Sequence, residues 1–323
     1  MYRAEVPLFA ALPAQLRQAD TAMLGNMHQR IGDTDVVAGG ATEAPAAGQR
    51  RAWGRVVSTD MEIRQDGTVS PSSDGRLNGF QAGTDLWADG RWRAGVYAGQ
   101  LDGNVDVTGF ASGISNLAVG HNDLRSQYLG VYGTYMSEAG FYADAVLQGA
   151  RHRYTVHPVS ALSVDGKGSG FLASLEVGQA FAIAPGWAIE PQLQVAHRQQ
   201  SLDDTVISGA LVQNGSENGW LLRAGVRVKG EIATGAGMLQ PYARLNVYHA
   251  GSGTDVARFI GPAAFTDISS RTGYTTTEVA LGATLQLSAA TSVYGEVGQL
   301  FDSGGDQRLK SGVQGSVGLR VNW

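Results

Sequence analysis

The sequence predicts an all-β membrane protein: a twelve-stranded antiparallel transmembrane β-barrel of the outer-membrane type, with an N-terminal α-helix threaded through the pore. Three observations predict this fold. Apolar and polar residues alternate over long segments, and short connections between those segments alternate with long ones along the chain. In addition, no run of 18 apolar residues occurs, so a transmembrane helix is not predicted.

The first element is a predicted helix over residues 13–31. Pro13 suits a first helical position, and Gly32 can end the helix. Apolar residues recur along it at three- and four-residue spacings: Leu12, Leu16, Ala19, Met23 and Met27. Two interpretations remain open, an amphipathic helix on a soluble core or a plug inside a barrel. About nineteen residues would span roughly 28 Å, close to a hydrocarbon core of about 30 Å, which favours the plug. Residues 33–49, without periodic order, are predicted to be a flexible linker.

Twelve strands are predicted from residue 50 onward. They lie near 50–63, 75–88, 91–108, 122–137, 140–157, 167–183, 187–202, 218–232, 239–251, 275–289, 291–302 and 311–323. Strands of a soluble β-sandwich also alternate between apolar and polar residues, but they are usually about five or six residues long. The strands predicted here run to about twelve residues or more. A propeller would repeat a blade motif at a fixed period, and the sequence has no such repeat.

The connections between these strands favour the barrel. Short links are predicted at 88–90, 137–139, 184–186, 233–238 and 289–290. Long links are predicted at 63–74, 109–121, 158–166, 203–217, 252–274 and 303–310. Short turns at one rim and long loops at the other are typical of outer-membrane barrels.

If the aliphatic face of each strand meets lipid, the other face lines the lumen. Charged residues assigned to the lumen by this argument are Asp85, Arg93, Asp144, Glu176, Glu190, Arg223, Arg227, Arg244, Glu278, Glu296 and Arg320. They could select solutes in a channel, or they could pair across neighbouring strands in a hydrated wall. Glycines on the strands would let the helix approach closely; they include Gly79, Gly83, Gly95, Gly130, Gly225, Gly282, Gly298 and Gly318.

Composition and motifs exclude several other functions. A net charge of -5 argues against a nucleic-acid partner, and the absence of cysteine excludes disulfides and thiolate chemistry. No catalytic, cofactor-binding or metal-binding residues are predicted. The glycine-rich 166–170 segment reads as a flexible loop without phosphate-loop order. His152 and His157 read as rim or loop histidines without a third histidine nearby.

The first thirty residues lack a signal peptide, since charged residues interrupt any apolar stretch. If the protein is exported, we expect this chain to be the C-terminal part of a longer one.

The chain ends in an alternating strand with a terminal tryptophan. Val317, Leu319 and Val321 would face lipid, and Trp323 would suit the membrane–water interface. The spacing of four residues in this strand resembles the assembly signal of outer-membrane barrels: Ser316, Gly318, Val321 and Trp323. In that family the signal is read by the barrel-assembly machinery.

The whole arrangement resembles the translocator domain of autotransporters (type V secretion). The resemblance covers essentially the entire chain and is carried by residues 2–33, by AWGRV at 52–56 and by VGLRVNW at 317–323. It implies a linker with a pore-plugging helix over 1–49 and a barrel domain over 50–323. The helix residues that would fill the pore are Leu16, Met23, Asn26 and Met27.

The resemblance also implies a function. The domain would export its own N-terminally attached passenger, act as a monomer without a cofactor, and have no enzymatic activity. Its partners would be outer-membrane lipid, the passenger, the barrel-assembly machinery and periplasmic chaperones. Some members cut the passenger next to an asparagine in this helix, but Asn26 has no second asparagine beside it and reads as an ordinary helix residue. The alternatives are a monomeric porin-like solute channel and an outer-membrane enzyme, for which Ser, His and Asp are too scattered to predict a triad.

Overall fold

A computed structural model describes residues 2–25, 27–31 and 49–323. The described strands form one antiparallel sheet that closes on itself around a helix. Closure is made by the first and last strands, which pair from Arg51 with Asn322 to Thr59 with Gln314. The predicted twelve-stranded antiparallel barrel with one N-terminal helix is therefore confirmed. None of the described helices is long and apolar enough to cross a membrane.

Twelve strands make the wall of the barrel. They are β1 (Arg51–Gln65), β2 (Ser72–Asp89), β3 (Trp92–Ala111), β4 (Ile114–Met136), β5 (Phe141–Pro158), β6 (Val164–Gln179), β8 (Trp187–Leu202), β11 (Gly219–Gly230), β13 (Gly237–Ile260), β14 (Phe265–Gln286), β15 (Thr291–Gly305) and β17 (Gln314–Asn322). Five short strands extend or cap this wall: β7 (Phe181–Ala184), β9 (Thr205–Ile207), β10 (Ala210–Gly215), β12 (Ile232–Thr234) and β16 (Gln307–Lys310).

The two ends of the barrel differ. The "turn rim" carries the short connections at 90–91, 137–140, 185–186, 235–236 and 287–290. The "hairpin rim" carries the connections at 66–71, 112–113, 159–163, 203–218, 261–264 and 306–313. At the hairpin rim, β13 and β14 extend well beyond β15 and stay paired as far as Ile260 with Phe265, and β10 pairs with the end of β13.

Several segments predicted as loops are strands, and those predictions are wrong. Strands β3 and β4 continue through residues 109–121 and meet at a two-residue turn, where Ser112 and Gly113 both have positive φ. Residues 252–274 are mostly the β13–β14 hairpin, and the glycine-rich 166–170 segment lies within β6. These segments rise beyond the lipid, where neither face needs a continuous apolar row. Hydrogen bonds between backbone groups hold these strands together. Because such bonds do not require apolar and polar side chains to alternate, the sequence shows no alternation there.

The helix differs from its predicted bounds. It is α1 (Glu5–Leu24), followed by a 3-10 turn, η1 (Met27–Arg30). The helix begins before Pro13 because Pro13 is tolerated in its interior and Pro7 lies in the first turn, where a proline costs no hydrogen bond. Gly25, at φ 36°, ends it. Residue 26 and residues 32–48 lie outside the described residues, so the predictions for Asn26 and for most of the linker are not addressed.

Two rings of exposed aromatic residues bound the outer face. One ring lies beside the turn rim: Trp87, Trp92, Phe141, Phe181, Trp187 and Trp323. The other ring lies nearer the hairpin rim: Phe80, Phe171, Trp220 and Phe301. Between them the outward positions are apolar and exposed, as at Leu129 and Leu193. Such an apolar band between aromatic girdles is how outer-membrane barrels meet the bilayer.

On the inner face, tyrosine rings lie over glycines of the neighbouring strand. A Cβ added to Gly130 would lie 2.3 Å from the Tyr97 ring, and one added to Gly318 would lie 2.4 Å from the Tyr294 ring. Further pairs are Gly95 with Tyr132, Gly178 with Tyr142, and Gly282 with Tyr242. These glycines make room for rings on the wall rather than for the helix, which corrects their predicted role.

Candidate functional site

The site is the pore together with the helix inside it, and the helix runs in one defined direction. Its N-terminal end lies at the hairpin rim, where Ser112 N–H donates to the Tyr2 carbonyl at 2.8 Å. Arg3 Nη1 also donates there, to the Ser208 carbonyl at 2.7 Å. Its C-terminal end lies at the turn rim, where the Arg51 guanidinium donates to the Ile31 carbonyl. The chain therefore passes through the whole barrel before it enters β1.

The half of the pore nearer the hairpin rim is apolar, and we call it the apolar section. Leu8, Phe9, Leu12 and Leu16 of the helix have no solvent-exposed surface. They belong to one cluster with apolar wall residues that include Ile63, Leu77, Leu101, Val105, Val107, Leu124, Val156 and Val212. Burying a side chain of this size contributes about 1.5–3 kcal/mol, so burial retains the helix in this section, together with one hydrogen bond from Asn122 Nδ2 to the Leu8 carbonyl at 3.1 Å.

A polar collar lies beside the apolar section. The Gln15 amide donates to Ser73 Oγ at 2.9 Å and accepts from Asn122 Nδ2 at 2.9 Å. Arg17 makes a two-pronged ion pair with Asp255, with one prong at 2.8 Å. The Glu217 N–H also donates to Asp255 at 2.8 Å. The collar satisfies helix polar groups that would otherwise be buried without partners.

The half of the pore nearer the turn rim is charged, and we call it the charged section. The Arg30 guanidinium bonds Asp144, with one contact at 3.0 Å, and lies 4.2 Å from the centroid of the Tyr132 ring. Arg227 Nη2 contacts His28 Nε2 at 2.7 Å and Glu190 at 3.0 Å. These contacts tie the 3-10 turn to β5, β8 and β11 of the wall.

More contacts reach the helix between these points. The Arg55 Nη2 donates to the Met23 carbonyl at 3.1 Å, and the Gln148 amide donates to the Asp20 carbonyl at 3.2 Å. Arg198 donates to the Thr21 hydroxyl at 3.2 Å. Hydrogen-bond donors on the wall therefore bind backbone carbonyls of the helix as well as its side chains.

The structure places the charged residues predicted for the lumen as follows. All of them except Glu296, whose side chain is 11% exposed, are buried. Ion pairs join them: Asp85 with Arg93 at 3.0 Å, Glu176 with Arg223 at 2.8 Å, Glu190 with Arg227 at 3.0 Å, and Arg244 with both Glu278 at 3.2 Å and Glu296 at 2.8 Å. Asp144 bonds Arg30 of the 3-10 turn, and Arg320 donates to Ser292 Oγ at 3.1 Å. Of the two interpretations, the geometry favours pairing over solute selection.

Of the residues predicted to fill the pore, Leu16, Met23 and Met27 are buried within the core cluster that joins helix and wall. Asn26 lies outside the described residues. Four further residues, which were not predicted from the sequence, are also buried in the pore: Arg17, Asp20, His28 and Arg30. The distribution of polar residues around the helix could have indicated them. Polar residues occur on several faces of the helix, as expected for a helix inside a lumen with charges of both signs and not for one that packs on a soluble core through a single apolar face.

The four residues of the predicted assembly signal lie on β17 and its end. Ser316 faces the pore and donates to the Gln29 amide oxygen at 3.1 Å. Gly318 lies under the Tyr294 ring. Val321 is half-buried and Trp323 is exposed at the turn rim. The backbone groups of Trp323 and Arg50 exchange two hydrogen bonds of 2.9 Å, so the end of the chain is paired with the entry to β1.

Two predictions about histidine are wrong. His152 is not at a rim; it is buried in the pore, 2.8 Å from Ser126 Oγ and 3.5 Å from Asp20. His157 does have another histidine beside it, because His121 is its direct partner across β4 and β5. Cross-strand register, which decides this contact, cannot be read from sequence spacing.

A cavity of about 90 Å³ lies between the C-terminal half of the helix and the wall, lined by residues that include Thr21, Gly25, Arg55, Tyr248 and Glu278. This volume holds a few water molecules.

Comparisons with known proteins agree with this architecture. Residues 52–298 match the family model described as autotransporter beta-domain. The chain is similar to the pertactin autotransporter of Bordetella bronchiseptica, with 31% identity over 252 residues that cover 75% of this chain and 26% of the relative. It therefore spans about a quarter of the length of that curated relative.

Two solved structures have the same fold. The transport unit of the autotransporter AIDA-I from Escherichia coli has a TM-score of 0.74 and 16% identity, and the match covers 100% of both chains. The beta domain of the Bordetella autotransporter BrkA has a TM-score of 0.65 and 22% identity, and the match covers 85% of this chain and 99% of that one.

Proposed function

The chain belongs to the autotransporter beta-domain family, and from that premise we propose that it exports a passenger attached ahead of its first residue to the bacterial cell surface. It is an outer-membrane translocator barrel by family and by fold. In this proposal residues 1–49 are the linker with the pore helix, and residues 50–323 are the translocator domain.

The direction of the helix carries the proposal. The helix enters the pore at the hairpin rim and leaves it at the turn rim, close to Arg51. In outer-membrane barrels the short turns face the periplasm and the longer connections face the outside. A segment joined to the N-terminus would accordingly lie outside the cell, with the helix left behind as a plug.

A solute channel is the less supported alternative. The apolar section is closed by buried side chains of the helix, and the cavity beside the C-terminal half of the helix measures only about 90 Å³. We expect the intact chain to have low conductance in planar bilayers, and removal of residues 2–31 to raise it sharply. Unchanged conductance after this removal would contradict the plug.

The end of the chain is proposed as the segment that the assembly machinery reads. An unpaired strand end is a template for adding another strand, and β17 is the strand that closes the barrel. We propose that periplasmic chaperones deliver the chain, that the barrel-assembly machinery holds β17 through Ser316, Gly318, Val321 and Trp323, and that the inserted protein acts as a monomer. No enzymatic role is proposed.

Surface display tests the function. A signal peptide and an epitope tag are placed ahead of Met1, the fusion is expressed in a Gram-negative host, and intact cells are probed with antibody and external protease. We expect a tag that is exposed and protease-sensitive on intact cells. Scrambling residues 316–323 should abolish insertion and display together, whereas scrambling an outer connection such as 261–264 should leave both.

A tag that stays in the periplasm on a correctly inserted barrel would contradict export. Insertion is scored separately, by the heat-modifiable mobility of the folded barrel on gels, so that a folding failure is not mistaken for a transport failure.

A further inference from the structure

Two histidines and a carboxylate meet on the outer face of the barrel near the hairpin rim. His121 on β4 and His157 on β5 are direct cross-strand partners, with ring centroids 4.6 Å apart and 24° between the ring planes. Asp123 follows on the same face, and its Oδ2 lies 3.1 Å from His157 Nε2. The ligand atoms of these three residues all lie within 4.8 Å of one another.

Neighbouring side chains orient two of these groups. Ser163 Oγ lies 2.8 Å from His157 Nδ1, so Nδ1–H can donate to this hydroxyl when Nε2 binds a metal ion. Asn104 donates to Asp123 Oδ1 at 2.7 Å, which leaves Oδ2 as the available oxygen. Without a metal ion, His157 Nε2 and Asp123 Oδ2 bond each other at 3.1 Å, and a metal ion would take the place of the proton between them.

The cluster lies outside the lipid band. On β4 the outward positions are apolar at Val131 and Leu129 and become polar from Gln127 toward the hairpin rim. Arg125, the outward residue before Asp123, is held by Asp102 at 2.6 Å. On the other side of the cluster, Asp106 is the cross-strand partner of His121 and adds negative charge. The cluster therefore lies on the part of the barrel that is open to the external medium.

We propose that His121, Asp123 and His157 form a surface site for a divalent transition-metal ion, with Zn²⁺ the best fit. Two imidazoles and one carboxylate are a common three-residue ligand set for zinc, and a water molecule completes the tetrahedron. Zinc bonds of about 2.0–2.2 Å place ligand atoms roughly 3.3 Å apart. The ligand atoms therefore need to approach one another by at most about 1.5 Å, which half-exposed side chains can do by small rotations.

Zinc titration of the untagged, refolded barrel in detergent tests this proposal, because a polyhistidine tag would bind the metal itself. Calorimetry should detect one Zn²⁺ per chain. His121→Asn and His157→Asn should each weaken binding more than tenfold, and Ser163→Ala should weaken it less, since it only orients His157. All three are surface substitutions, and heat-modifiable mobility verifies that each variant folds.

His249→Asn is the matched control, because His249 is also exposed and also bonds a hydroxyl, Thr275 Oγ1 at 3.0 Å, but lies on β13. This variant should bind zinc as the unsubstituted chain does. A second measurement uses Co²⁺ in place of Zn²⁺. The visible absorption of four-coordinate Co²⁺ should appear with the unsubstituted chain and be absent with His157→Asn. No saturable binding, or binding that survives both His121→Asn and His157→Asn, would overturn the proposal.

Discussion

The two sections of the pore hold one helix by different means. In the apolar section, Leu8, Leu12 and Leu16 contribute through burial, which has no preferred direction. In the charged section, Arg30 bonds Asp144 and lies against Tyr132, contacts that exist at one depth and one rotation only. A slip of one turn, about 5.4 Å, could leave apolar residues buried, but it would break these bonds. The comparison suggests that the apolar section supplies retention and the charged section supplies register.

The largest effect is expected from removing one partner of the ion pair between Arg30 and Asp144 in the charged section. Asp144→Ala leaves Arg30 buried without its carboxylate, which should cost about 3–5 kcal/mol. The fraction of time that single channels spend open in planar bilayers should rise at least a hundredfold, since 1.4 kcal/mol is a factor of ten.

A double variant sharpens this result. Arg30→Met with Asp144→Leu removes both charges, and replacing a buried ion pair by apolar residues is often neutral. Closed-state stability should return, because no charge is left unpaired. If the single variant Asp144→Ala stays closed as firmly as the unsubstituted chain, the charged section does not hold the helix.

The next effect is expected from the apolar section. Leu12→Ala removes buried methyl groups and should cost about 2–5 kcal/mol through lost burial and a residual cavity. Open-channel time should again rise. Leu12→Met, which conserves volume, is the control and should cost less than about 1.5 kcal/mol. Equal behaviour of the two variants would show that packing around Leu12 is loose.

A smaller effect is expected in the wall, where neither section is touched directly. Gly318→Ala would place a Cβ 2.4 Å from the Tyr294 ring, and such overpacking costs about 1–3 kcal/mol. The free energy of unfolding in urea, followed by tryptophan fluorescence in lipid vesicles, should fall by that amount. Gly315→Ala on the same strand has its nearest contact at 3.4 Å and should change little. A similar loss in both variants would contradict the role given to the tyrosine ring.

The smallest effect is expected from an ion pair outside the barrel. Arg258 donates to Asp267 at 2.7 Å on the exposed β13–β14 hairpin, and this hydrogen bond lowers the pKa of Asp267. Solvent screens such pairs. Asp267→Ala should therefore leave both the urea midpoint and the open-channel time unchanged. A loss as large as that of Asp144→Ala would contradict the distinction between buried and exposed pairs.

The part of the fold that meets lipid could be predicted from the sequence. Lipid on one face and a polar lumen on the other impose strict alternation, as from Val317 to Trp323, and this pattern indicated the closing strand and the outward face. Beyond the lipid no such constraint acts, so residues 109–121 and 252–274 carry no alternation although they are paired as strands.

Contacts that depend on register could not be predicted. Gly318 and Tyr294 are partners across β15 and β17, and His121 and His157 across β4 and β5. Their separation along the chain contains no information about pairing. The helix start was predicted wrongly for another reason: proline is favoured in the first turn of a helix, whereas Pro13 lies in the interior of this one.

The most direct test of the threaded helix uses the absence of cysteine from the chain. Arg3→Cys places a single thiol at the exposed N-terminal end of the helix, and Ala236→Cys places one in an exposed connection of the turn rim. Intact cells are treated with a membrane-impermeant maleimide, with and without prior permeabilisation of the outer membrane. We predict that the residue 3 variant is labelled on intact cells and that the residue 236 variant is labelled only after permeabilisation. The reverse pattern, or labelling of both only after permeabilisation, would contradict a helix whose N-terminus emerges at the cell surface.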